Sequence, residues 1–185
     1  LQSRDFTGDA TQIAPDLVGM LMTRRFRDGT IGKYWIVETE AYMQDDPACH
    51  AHRGQTPRNA AMFGPPGHAY VYLIYGIHHC FNIVTGKAGD GQAVLIRALA
   101  DINWEQQTPI QQRRYAGPGK LCKELEIDRT LDGAPIGIKG KSVWIERPAT
   151  PPTFSLEATT RVGISKGADR LWRWCWSGHP AVSRK

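Results

Sequence analysis

Two carboxylates and four phenol rings carry most of the chemistry that this chain offers. Ile36-Val37-Glu38-Thr39-Glu40-Ala41-Tyr42 is an apolar, strand-like run that delivers Glu40 two residues from Tyr42. A carboxylate can activate water, and a flat ring beside it can stack another ring. On a strand, residues two apart share a face, so Glu38 and Glu40 point one way and Thr39 and Ala41 the other. Further on, Tyr70-Val71-Tyr72-Leu73-Ile74-Tyr75-Gly76 adds three more rings in a second strand-like run. The combination suggests an enzyme that stacks a flat ring and hydrolyses a bond next to it. Glutamates on an exposed edge strand would simply be solvated, and tyrosines at strand spacing commonly fill a core. A strand end that feeds a long polar loop is, however, where sites are built, which makes Glu40, nearer that loop, the candidate base.

The elements that must position these residues follow from periodicity and turn chemistry. Residues 9–22 carry Ile13, Leu17, Val18, Leu21 and Met22 at helical spacing, with Asp9 or Thr11 available as a cap. Residues 21–26 and 34–42 read as a hairpin around Asp28-Gly29. Residues 44–66 form a long polar loop expected to line the site. Residues 68–84 read as strand, a break at Gly76, and strand, and residues 92–99 as a further buried strand. Residues 108–126 are helical in part, interrupted by Gly117-Pro118-Gly119, after which Lys120 opens a short helix. Strands at 136–138 and 143–145 close the pattern, and the alternating tryptophans of 170–176 read as core. A curved, largely antiparallel sheet within one domain spanning 1–185 is the economical arrangement.

Composition narrows the partners. The formal charge of +5 favours a polyanion, because each phosphate contact from Lys or Arg releases a condensed counterion. Arg53-Gly54-Gln55-Thr56-Pro57-Arg58-Asn59 offers two guanidinium groups and small polar donors suited to phosphates. Cys49, Cys80, Cys122 and Cys175 form no Cys-x-x-Cys pair and follow no secretory leader, so reduced thiols are expected. No apolar run approaches the roughly 18 residues of a membrane span, so no membrane insertion is expected. Cys49-His50-Ala51-His52 and His78-His79-Cys80 hold zinc-type ligands but no closed set at familiar intervals. Neither a metal nor a cofactor is expected.

Taken together, these residues resemble the alkyladenine (3-methyladenine) DNA glycosylase family, the mammalian-type alkylpurine enzymes that also occur in bacteria. The likeness runs in order through Val37 to Tyr42, Gln55-Thr56-Pro57-Arg58-Asn59, Met62-Phe63, Pro66-Gly67, Tyr70-Val71-Tyr72 and Tyr75-Gly76. It continues through Asn82-Ile83, Val94 to Leu99, Gly117-Pro118-Gly119-Lys120-Leu121 and Arg161-Val162-Gly163-Ile164. Two departures stand out: the stretch from Tyr42 to His50 is one residue shorter than in the mammalian enzymes, and His78 replaces an aromatic.

The resemblance implies an α+β domain around a curved antiparallel sheet with flanking helices and a protruding β-hairpin, like the C-terminal domain of methionyl-tRNA formyltransferase. It implies a monofunctional glycosylase of base excision repair acting on duplex DNA. Such an enzyme flips out 3-methyladenine, 7-methylguanine, hypoxanthine or ethenoadenine and leaves an abasic site. By position, Glu40 would activate water and Arg97 would help hold it. Tyr42 and Tyr72 would sandwich the flipped base, His50 would contribute to the pocket, and Asn82 would crowd the 2-amino group of guanine. Tyr75 would wedge into the minor groove, Met62 would lie at the opposite strand, and His78, Arg58 and Lys120 would contact DNA. A monomer is expected, in the cytosol or nucleoid of a bacterium or in a eukaryotic nucleus. The competing reading is a non-catalytic nucleic-acid-binding module on the same sheet, with Glu40 structural.

Overall fold

The computed structural model describes residues 1–137 and 140–183. After a 3₁₀ turn (Ser3–Phe6), helix α1 spans Ala10–Leu17, with Asp9 at its N-cap and the Asp9 N–H donating to Gln12 Oε1 at 3.3 Å. The helix expected over 9–22 therefore ends early. Val18 is extended and Gly19 is left-handed (φ 83°), which frees Leu21 and Met22 to start strand β1 (Leu21–Arg25). The hairpin to β2 (Ile31–Tyr42) turns at Asp28-Gly29, where Asp28 Oδ1 accepts from the Thr30 N–H at 2.9 Å.

Strands β3 (Ala69–Ile74), β4 (His78–Thr85) and β5 (Gln92–Asp101) follow, then the short α2 (Pro109–Gln112) and α3 (Pro118–Glu124). Gly117-Pro118-Gly119 separates two helices as expected, but α3 opens at Pro118 rather than at Lys120. Gly117 takes the N-cap and Pro118 the first helical position, where its missing N–H costs nothing. Strands β6 (Val143–Glu146), β7 (Leu156–Thr159) and β8 (Arg173–Trp176) complete the chain. Ile136 and Gly137 lie in no strand, although Pro135 bridges to His68, and Ile138, the last residue of the strand expected at 136–138, falls outside the described residues.

These elements make an α+β fold around one curled antiparallel sheet, ordered β3-β4-β5-β2-β1-β6, with β8 joining β2 and β7 joining β8. β2 is its spine. Ile31–Trp35 pairs with β1, Glu38–Glu40 with β8, and Tyr34–Tyr42 with β5. One face of the sheet meets α1 through Ala10, Ala14 and Leu17 and meets Leu121 and Cys122 of α3, burying Ile36, Ala41, Val71, Phe81, Ile83, Val94, Ile96 and Leu99. Thr39 joins that face by donating its hydroxyl to Ala14 O at 2.9 Å.

An even spacing would be needed for Ile36 and Thr39 to share a face, and theirs is odd. The pairing explains it. Between Ile36↔Leu99 and Thr39↔Ile96 the register slips by one residue on each strand in turn, at Val37 and at Arg97. Such bulges re-aim side chains, and these turn Glu38 and Arg97 toward one another on the face opposite the main core. The tail tryptophans pack against the core as expected, although they are not its most buried groups. β8 buries Arg173 and Cys175, while Trp174 and Trp176 are only half-buried.

No helix among the described residues is long and apolar enough to cross a membrane, and all four cysteines are buried and free.

Candidate active site

One row of side chains crosses the concave face of the sheet. Tyr70 on β3 pairs with Asn82 on β4, Asn82 with Leu95 on β5, Leu95 with Glu40 on β2, and Glu40 with Arg173 on β8. Period-two alternation places Tyr72, Cys80 and Tyr42 beside this row. Above it lies a cleft of about 260 Å³, lined by Tyr42, His50, Met62, Tyr72, Asn82 and Arg97 among others. The long loop at 44–66 does line the cleft, through Ala48, His50 and Met62.

Aromatic rings line this space. His50 packs against Tyr72 with ring centroids 4.4 Å apart at 72°, and His50 Nδ1 shares a 2.8 Å hydrogen bond with the Tyr70 hydroxyl. The loop bearing His50 is clamped by buried Asn59, whose Nδ2 donates to His50 O at 2.9 Å and Gly54 O at 3.1 Å. Asn59 is thus an internal brace rather than a donor to an outside phosphate. The Tyr42 ring, which also lines the cleft, lies under the Arg161 guanidinium at 4.8 Å. Arg161 also faces Trp172 at 5.2 Å, pairs with Asp46, and donates to Ala41 O at 3.0 Å and Gly167 O at 3.1 Å. Close packing there requires glycine: a Cβ on Gly167 (φ 56°) would stand 2.8 Å from Asp46 Oδ1.

Glu40 lies beneath the cleft, 0% exposed. Oε1 accepts from the Val162 N–H at 2.8 Å, Oε2 accepts from the Tyr42 hydroxyl at 2.8 Å, and Arg97 Nη1 stands 3.6 Å from Oε1. Arg97, Tyr42 and Val162 all line the cleft, so the way to this carboxylate runs between them. Burial raises the Glu40 pKa above the ordinary 4.5, against the opposing pull of Arg97, the Val162 N–H and the Tyr42 hydroxyl. Burial likewise pushes the Tyr42 and Tyr72 phenols up, so they remain protonated donors at neutral pH. His50 moves down, first by desolvation and then by the nearby Arg58 charge, which favours the neutral imidazole.

Glu38 has a different environment. It is also 0% exposed, but Arg173 Nε reaches Oε1 at 2.6 Å, the Ser183 N–H reaches Oε2 at 2.7 Å, and the Ser183 hydroxyl reaches Oε1 at 2.9 Å. Asn82 is fixed on the floor, its Nδ2 donating to Tyr70 O at 3.0 Å and Cys80 O at 3.5 Å.

The remaining candidates lie outside the cleft, with one exception. Met62 is 3% exposed, on a 3₁₀ turn (Ala60–Phe63) that tucks it against Tyr70, Val84 and Ala93. It forms part of the cleft wall. Tyr75 caps the β3–β4 hairpin, 83% exposed beside Ile77 at 71%. Tyr75 (φ 53°) and Gly76 (φ 71°) are the positive-φ central pair of the turn that Ile77 N–H closes on Ile74 O at 3.2 Å. His78 packs beside Gly119 at the start of α3, Lys120 is exposed on that helix, and exposed Arg58 donates to Leu73 O at 3.2 Å, bracing β3. The sequence reading assigned no role to Asp46, Arg161, Arg173, Ser183 or the Val162 N–H. Only Arg173, between Trp172 and Trp174, stands as a charge within an apolar run; the others carry no local signal, because their partners are distant in sequence. Among the described residues, no three His, Cys, Asp or Glu side chains group so as to hold a metal ion.

Comparison with known proteins supplies an independent view. Residues 4–180 match the family model described as methylpurine-DNA glycosylase (MPG). A relative from Synechococcus sp. (strain JA-3-3Ab) is 47% identical over 94% of this chain and 94% of its own. Others from Trichodesmium erythraeum and Carboxydothermus hydrogenoformans are 45% and 42% identical, covering 94% and 97% of this chain and 92% and 96% of theirs. Each of the three bears the name "Putative 3-methyladenine DNA glycosylase".

Proposed function

Because the chain belongs to the methylpurine-DNA glycosylase family, we propose that it is a monofunctional DNA glycosylase that excises alkylated or deaminated purines from duplex DNA. The observation that carries this reading is Glu40, a buried carboxylate with three polar partners at the bottom of an aromatic-walled cleft. A purine turned out of the duplex enters between the Tyr42 wall and the His50–Tyr72 wall. Stacking on such rings contributes about 1–3 kcal/mol per base. N3- and N7-alkylated purines are cationic, and a neutral His50 adds no opposing charge beside them. Asn82, held by its backbone bonds, crowds a 2-amino group. Glu40 takes a proton from a water that Arg97 helps to hold, and its charge supports the oxocarbenium-like sugar as the glycosidic bond breaks. The purine leaves as free base, and an abasic site remains in an unbroken strand. The protein acts as a monomer where the DNA is, in the cytoplasm or, in a eukaryote, the nucleus.

The test is a panel of duplexes carrying one 7-methylguanine, hypoxanthine or ethenoadenine each. Free base and an alkali-labile site are expected from lesion duplexes and none from undamaged DNA. No release from any of them would favour the non-catalytic binding module.

The pH dependence follows from the Glu40 shift. The base must be ionised to act, and its folded-state pKa lies above 4.5. Excision of cationic 7-methylguanine is therefore expected to rise with pH through a value above the ordinary glutamate range. Because this leaving group needs no protonation, the acidic limb reports Glu40 directly. Single-turnover rates between pH 4 and 8 check it, and a limb at or below 4.5 would contradict the shift.

At the hairpin tip Tyr75 holds a backbone conformation that Asn adopts more readily. Tyr75→Asn is expected to leave stability unchanged or raise it by up to about 1 kcal/mol. Excision from duplex DNA should fall about tenfold or more, because the ring that fills the vacated stack is gone. Thermal melting and excision rates read the two effects separately.

A further inference from the structure

Arg97 is shared between two buried carboxylates, and the nearer one is not the proposed base. Its Nε stands 3.2 Å from Glu38 Oε1, while its Nη1 stands 3.6 Å from Glu40 Oε1. The same Nε donates to the Ser183 hydroxyl at 3.0 Å, and that hydroxyl in turn donates to Glu38. Arg173 holds Glu38 from the other side and donates from Nη2 to Ser183 O at 3.2 Å. The paired bulges at Val37 and Arg97 bring these groups onto one face, which regular strands would not do. Among the cleft-lining residues Glu38 meets only Arg97, and every polar bond it makes is buried.

We propose that Glu38 is a positioning residue for the reaction: with Ser183 it holds the Arg97 guanidinium between two carboxylates, so that Glu40 feels only part of that cation and stays basic enough to accept a proton. This rests on the function proposed above. The groups facing Glu40 are Arg97 from β5, Arg173 and Cys175 from β8, Cys80 from β4, Glu38 and Tyr42 from its own strand, and the Val162 N–H. Removing the Glu38 charge relieves like-charge repulsion on Glu40 and releases Arg97 to it. Both changes make Glu40 a weaker base.

The experiment measures single-turnover excision of 7-methylguanine against pH for the wild type, Glu38→Gln and Glu38→Asp. Glu38→Gln is expected to move the acidic limb to lower pH and to slow the plateau rate about tenfold, with unchanged affinity for lesion duplex. Glu38→Asp keeps the charge and should hold the limb near the wild-type position. Should Glu38→Gln fail to fold, Glu38→Gln/Arg173→Met carries the test. It removes one charge of each sign, so the expected downward shift then reports Arg97 turning to Glu40. A folded Glu38→Gln or double variant whose limb stays at the wild-type pH overturns the inference, as does a loss confined to DNA binding. Wild type that releases no base from any lesion duplex would instead overturn the proposed function.

Discussion

Glu40→Gln is expected to slow single-turnover base release by about 10³-fold or more while leaving the affinity for a lesion duplex nearly intact. Gln has the same shape, and its amide oxygen can still accept one of the two bonds that now come from Val162 and Tyr42. What it lacks is the proton acceptor and the negative charge opposite the developing sugar cation. The same substitution should not weaken the fold. Burial raises the Glu40 pKa, so the stability this group contributes is present below the ordinary 4.5 and is lost as pH rises through the raised value. At neutral pH the neutral amide should therefore melt at the wild-type temperature or above it. Activity lost in step with melting temperature or lesion affinity would assign Glu40 a structural role instead.

Asp46→Ala is expected to cost about 3–5 kcal/mol of stability, because it strands a buried cation. Both Asp46 and Arg161 have side chains that are 0% exposed. Arg161 has no route to water and is held between the Tyr42 and Trp172 rings. Removing both charges is less damaging than removing one, so Asp46→Ala/Arg161→Met should recover much of the loss. The double variant should still excise slowly, since Arg161 carries the loop whose Val162 N–H meets Glu40 and supports the ring of Tyr42. Urea unfolding of the single and double variants provides the comparison. An Asp46→Ala protein within about 1 kcal/mol of wild type would mean that the pair contributes no more than an exposed one.

Local pattern carried much of this arrangement. Alternation in 36–42 correctly put Glu38 and Glu40 on one face and Thr39 on the other, and the Asp28-Gly29 turn fixed the first hairpin. The Tyr75-Gly76 break marked the protruding tip, because a tight turn needs positive φ and only a few residues accept it. What was not legible depended on tertiary partners. Glu38 and Glu40 look alike in sequence, and only their partners in the fold distinguish them: Arg173 and Ser183 hold Glu38, while Glu40 meets the cleft-lining Tyr42, Arg97 and Val162. The bulges at Val37 and Arg97 have no local signature, since neither site carries a glycine or proline to mark a break in its strand. Helical spacing carried the first helix past its end because Leu21 and Met22 are as apolar in a strand as in a helix. The inward turn of Met62 was not legible either, since whether a loop residue turns inward depends on the 3₁₀ turn that carries it. Asp46 and Arg161 lie far apart in the chain and could not be paired from sequence alone.

The most direct test of the central claim is the fate of a 7-methylguanine duplex under single-turnover conditions with wild-type protein and a chelator present. Released base should be measured, and the product strand run before and after alkali. A hydrolytic, Glu40-driven glycosylase predicts free 7-methylguanine with a strand that is intact until alkali cleaves it. Absence of release, or a strand already nicked without alkali, would contradict the account.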